Sequence, residues 1–128
     1  QKETDWQSIN IMGWDKERDD LIKKCKVIIN IHHFNCFFIF QHIRCDRMIF
    51  ANKLIVSDIS LYGDTLDVYD YVTWRPFDNI IQTTKEILTH FNAMQRRMEL
   101  LPKKTVCDAR HSTLQKVVDD LCQQNDNE

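Results

Sequence analysis

Hydrophobic and polar positions change rhythm several times along the chain, and each change marks a different element. Ser8-Ile9-Asn10-Ile11-Met12 alternates polar and apolar residues and stops at Gly13, the pattern of a short strand and its turn. Asp15 to Lys24 opens on carboxylates and closes on lysines, as the helix macrodipole favours, and reads as a helix capped by Asp15. Val27-Ile28-Ile29-Asn30-Ile31 is a nearly continuous β-branched run. Such runs mark strands buried on both faces of a parallel sheet. From Phe37 to Ala51 the spacing turns helical, through Phe40, Ile43, Arg44, Arg47 and Phe50. Lys53 to Ser57 is a second β-branched run and predicts a second buried strand.

Val68 to Trp74 alternates and predicts a third core strand, which Pro76 prevents from extending. Asp78 is placed to cap a long helix from about Asn79 to Glu99, with Ile80, Ile81, Thr84, Ile87, Leu88, Phe91 and Met98 as its apolar stripe. Pro102 stops it. A last helix, about Cys107 to Gln123, gathers Leu114, Val117, Val118 and Leu121 on one side, and the tail from Asn125 is expected to fray. The order β-α-β-α-β-β-α-α predicts an α/β fold: a mostly parallel sheet with helices on both faces, in a single compact domain over residues 1–128. No linker and no internal repeat interrupts it.

Composition changes this picture in three ways. The chain has 128 residues, enough for one domain and too few for two catalytic ones. The net charge of −2 excludes a global attraction to nucleic acid or to an anionic membrane, and no apolar run is long enough to span one. The charge is uneven, however. Residues 21–60 hold six basic and two acidic side chains and three of the five histidines, so an anionic ligand fits best there. Five cysteines, an odd number without a CxxC pair, read as reduced, buried or half-buried thiols of a cytoplasmic protein. The polar start, Gln1 to Asp5, does not read as a secretory signal.

Open α/β sheets bind ligands beyond the carboxyl ends of their strands. Here Ile31-His32-His33-Phe34-Asn35 follows the strongest strand and leads into a helix whose N-terminus favours phosphate. Ser57-Asp58 ends the next strand beside it. His32 and His33 read equally as polar packing, Arg44 and Arg47 as surface ion pairs, and Ser57-Asp58 as a turn. His33-x2-Cys36 and His42-x2-Cys45 have zinc-ligand residue types, but they run through an apolar, helix-forming stretch, so no metal is expected. There is no GxGxxG, P-loop or GxSxG motif.

Residues 13–58 also resemble a family. INIHHF (Ile29 to Phe34), FQHIR (Phe40 to Arg44) and IVSD (Ile55 to Asp58), followed by the stretch from Tyr71 to Leu88, resemble the C-terminal half of GT-B glycosyltransferases. The likeness is to family 1-like and CgeB-like members, found in bacteria and large DNA viruses, and covers about residues 13–100. It implies a Rossmann-like domain holding a nucleoside diphosphate sugar, with no metal. The binding residues it implies are His32, His33, Gln41, Arg44, Ser57 and Asp58, and Asn35, after the same strand, adds a donor there. Two departures stand out. Gln41 replaces the family's helical Glu, and an amide offers a ribose diol one acceptor where a carboxylate offers two. The acceptor half is missing, so a second domain or chain is expected to supply it. The resemblance thus implies a chain catalytically incomplete alone, and its reduced cysteines a cytoplasmic one, in the host cytoplasm or the virion if it is viral. The alternative is a non-catalytic relic with a structural or protein-interaction role. A stand-alone enzyme on a flavodoxin-like sheet is a third reading.

Overall fold

A computed structural model describes residues 7–11, 13, 15–32, 40 and 42–126. Its elements are α1 (Asp15–Lys24), β1 (Val27–Asn30), α2 (His42–Phe50), β2 (Leu54–Asp58), β3 (Thr73–Arg75), α3 (Ile80–Thr89), α4 (Phe91–Leu100) and α5 (Lys103–Asp126). Short 3-10 turns at Gly63–Thr65, Tyr69–Tyr71 and Phe77–Asn79 fill the connections. The protein is α/β, and its described residues form one three-stranded parallel sheet in the order β1-β2-β3.

β2 is the axis of the fold. Leu54, Ile55, Val56 and Ser57 are all buried. Successive strand residues point to opposite faces, so both faces of β2 are covered. β1 pairs with it in register from Val27↔Leu54 to Asn30↔Ser57. β3 pairs only with its carboxyl end, Val56↔Thr73 to Asp58↔Arg75. Around this axis Ile49, Ile55, Val56, Val68 and Ile80 lose essentially all contact with water, each contributing about 1.5–3 kcal/mol of apolar burial.

Polar side chains tie the helices down. Lys53 donates from Nζ to the carbonyls of Lys23 (3.2 Å) and Cys25 (3.1 Å), satisfying the C-terminal end of α1. Arg47 on α2 meets Asp19 on α1 at 2.6 Å. Asn52 takes the left-handed conformation (φ 62) in the α2–β2 turn, where Asn is tolerated.

Several expectations need correction. Residues 8–11 form no strand. Among the described residues β1 is a margin of the sheet, and it is not buried on both faces: Ile28 and Asn30 are buried, whereas Ile29 and Ile31 are exposed. The third strand is only Thr73–Arg75, because Tyr69–Tyr71 winds into a 3-10 turn that buries Val68 and Tyr71. The long helix breaks at His90, whose backbone (φ −110, ψ 29) leaves the helical region between α3 and α4. Within α3, Ile80, Thr83 and Ile87 face inward and Ile81 faces out; beyond the bend, Met98 of α4 is buried. The helix expected from Phe37 begins at His42, and Phe40 precedes it; 37–39 lie outside the described residues. Cys107 and Cys122 are exposed, although Cys45 is buried. Leu114, Val117, Val118 and Leu121 pack against nothing among the described residues and are exposed.

Candidate functional site

The two β-branched runs carry one polar side chain each into the dry centre of the sheet, at paired positions. Asn30 on β1 is 3% exposed and Ser57 on β2 is 0% exposed. Such groups must bond to each other or lose several kcal/mol of hydration uncompensated. They do bond: Asn30 Nδ2 donates to Ser57 Oγ at 3.1 Å, and the Ser57 hydroxyl donates onward to the Asp58 carbonyl at 3.0 Å. Arg44, in the first turn of α2, brings Nη1 to 3.4 Å from Asn30 Oδ1. The rest of the Arg44 side chain is exposed, and no carboxylate pairs with it among the described residues.

Just beyond the strand ends lies a second polar group. The His32 backbone N–H donates to both carboxylate oxygens of Asp58, at 3.1 and 3.3 Å. The His32 ring sits with Nδ1 against Asp58 Oδ1 and Nε2 at 3.0 Å from Ser60 Oγ. Its side chain is 2% exposed and that of Asp58 15%. Both ring nitrogens thus face polar side chains inside the protein, Nδ1 toward Asp58 and Nε2 toward Ser60. The chain Asp58–His32–Ser60 fastens the end of β1 to the loop after β2.

That loop alternates sharply. Ser60 turns inward, while Ile59, Leu61 and Tyr62 face outward at 57, 56 and 71% exposure. Tyr62 holds a left-handed backbone (φ 56) as the Gly63 N–H closes a turn onto the Ser60 carbonyl at 3.2 Å.

Of the residues expected from the sequence, the fold brings His32, Arg44, Ser57 and Asp58 to one end of the sheet. His33, Asn35 and Gln41 lie outside the described residues. Sequence reasoning missed Asn30 and Ser60. Asn30 had a signal: it is the one polar residue in a β-branched run, so it needed a buried partner. Ser60 had none, because only the turn geometry aims it at His32. Of the two histidine–cysteine spacings, His42 Nδ1 lies 2.8 Å from Asp46 Oδ1, and burial pushes the Cys45 thiol up to about 12. No three His, Cys, Asp or Glu side chains gather as a metal site among the described residues.

A groove of about 500 Å³ lies elsewhere, between β3 and the α3–α4 pair, where Trp74, Arg75, Ile87, His90, Met94 and Arg97 line it. None of Asn30, His32, Arg44, Ser57 and Asp58 reaches it. Of the polar group at the strand ends, Asn30, His32 and Ser57 are buried, Asp58 is largely covered, and Arg44 is the member exposed to solvent.

Comparison with known proteins gives viral relatives. The chain is 42% identical over 81 residues to "Uncharacterized protein L140" of Acanthamoeba polyphaga mimivirus, covering 62% of this chain and 27% of L140. It is 42% identical over 83 residues to "Uncharacterized protein L138" of the same virus, covering 60% of this chain and 9% of L138. "Uncharacterized protein L137" matches at 36% over 80 residues, covering 61% of this chain and 11% of L137. The chain thus spans about a quarter of L140 and about a tenth of each of the other two. No protein family and no solved structure matches it significantly. No helix among the described residues is long and apolar enough to cross a membrane.

Proposed function

We propose that this chain is a Rossmann-like donor-binding part of a glycosyltransferase, which takes a nucleoside diphosphate sugar and needs a further domain or chain for the acceptor. The observation that carries the reading is the juxtaposition of Arg44, Asn30 and Ser57 with the Asp58–His32 pair at the carboxyl ends of two parallel strands. Ligands of open α/β sheets sit at that end. Arg44 is the side chain for the diphosphate: its guanidinium is always charged and offers several donors in one plane. Asn30 holds that guanidinium from below. His32 positions rather than binds, since its ring is buried between Asp58 and Ser60. In this reading the leaving diphosphate is stabilised by Arg44, and the base that activates the acceptor comes from the missing partner. The test is calorimetry of the chain against UDP, GDP, ADP, CDP and TDP, without divalent metal. One of them binds, and Arg44→Ala weakens it by about tenfold, the loss of roughly 1.4 kcal/mol. Absence of heat with all five refutes the reading.

A second reading has its own support. Ile31, Ile59, Leu61 and Tyr62 are all exposed at the same end of the sheet, and grouped exposed apolar side chains serve partner binding. On that reading the domain is a non-catalytic module, and replacing Leu61 and Tyr62 by Ser abolishes partner binding without touching nucleotide affinity.

A further inference from the structure

Helix α5 runs for 24 residues, but only Lys103 and Val106 on it are buried, and Arg110 is half-buried. Beyond Arg110 every described residue is exposed. In proteins most helical stability comes from packing an amphipathic face rather than from propensity, and this stretch has no such packing among the described residues. The face is present. Leu114, Val117, Val118 and Leu121, 44–62% exposed, continue the same side of the helix that carries Lys103, Val106 and Arg110 into the body.

The pattern on this face says what covers it. Leu114-x-x-Val117-Val118-x-x-Leu121 reads the same in both directions. A two-fold contact uses one patch on both copies and so requires a self-complementary surface. Charge selects the direction. Residues 103–116 carry Lys103, Lys104, Arg110 and Lys116 against one carboxylate, Asp108, whereas residues 117–126 carry Asp119, Asp120 and Asp126 and no cation. Antiparallel helices set the basic half of one copy along the acidic half of the other; parallel helices set like against like. We propose that α5 pairs two copies of this chain as an antiparallel two-helix contact, centred between Val117 and Val118, with each Leu114 packed on its partner's Leu121.

The test uses the 128-residue chain. Sedimentation velocity over a wide concentration range is expected to show a monomer–dimer equilibrium. Leu121→Asp is expected to weaken it at least about tenfold and to lower helix content by circular dichroism, because the end of α5 then loses its cover. Register is read by cross-linking. Across the proposed axis the two Cys122 side chains are offset by roughly 13 Å along the helix, too far for a disulfide. Oxidation of the native chain therefore gives no Cys122-linked dimer. Val118→Cys, in a background with Cys107→Ser and Cys122→Ser, lies near the axis and is expected to link. A monomer at every concentration, a dimer indifferent to Leu121→Asp, a Cys122-linked parallel pair, or failure of Val118→Cys to link each overturns the proposal.

Discussion

Arg110 grips Asp67 with two parallel bonds, Nε to Oδ2 and Nη2 to Oδ1, each 2.7 Å long. Its third contact, Nη1 to Asp46 on α2 at 2.7 Å, and a position 5.5 Å over the Phe50 ring make it the clasp between α5 and the body. The bidentate fork explains why Lys would not serve here. Arg110→Ala is expected to destabilise the protein by about 1–2 kcal/mol, a range already lowered for solvent screening of this half-exposed cluster. Urea unfolding, compared with Arg110→Lys at a smaller loss, measures it.

The same clasp sets an acid limb. The Arg110 guanidinium bonded to Asp67 holds that carboxyl below its ordinary value of 3.8. The folded state therefore favours the ionised form. The stability this contributes is fully present above the ordinary carboxylate range and is lost as pH falls through the lowered folded value. Unfolding midpoints measured from pH 6 down to pH 2 are expected to fall in wild type, and to fall less steeply at the acid end in Asp67→Asn.

Thiol reactivity separates the cysteines by burial. Burial pushes Cys45 up to about 12, so at neutral pH it carries almost no thiolate, and the protein shields it. Cys107 and Cys122 are exposed. Reaction with a disulfide reagent followed by peptide mapping is expected to label Cys107 and Cys122 quickly and Cys45 only on unfolding. Rapid native labelling of Cys45 contradicts the packing of α2 on the sheet.

The Asn30–Ser57 bond makes opposite predictions for single and double replacement. Ser57→Ala leaves the buried Asn30 amide without its acceptor and is expected to cost about 1–3 kcal/mol. Asn30→Val with Ser57→Ala removes both polar groups and is expected to recover much of that loss in chemical denaturation, while abolishing the support for Arg44. On the proposed donor-binding reading, nucleotide affinity is expected to fall even though stability returns.

The elements that pack by local rules were legible in the sequence. α1 and β2 stand where charge order and β-branched runs place them, because each depends mainly on its own residues. What the chain does around His90 was not: Phe91 sits four residues after Ile87, at helical spacing, and no Gly or Pro marks the break between α3 and α4. The turn at Tyr69–Tyr71 escaped for a similar reason, since alternation in that stretch reflects burial of Val68 and Tyr71 by a 3-10 coil rather than by a strand. At the candidate site, His32, Ser57 and Asp58 followed from their place after strands, and Arg44 from helical spacing. The inward turn of Ser60 depends on a left-handed Tyr62, which no residue type there announces.

The parallel register has a kinetic consequence. Asn30 and Ser57 lie 27 residues apart along the chain, and no hairpin can bring them together. The loop between them must close, with α2 in place, before the first rung of the ladder gives any return. Non-local pairing of this kind slows the search for the native state. The helices of this protein are therefore expected to flicker into being well ahead of its sheet, and a mutation in β2 to retard refolding more than an equally destabilising one in α5.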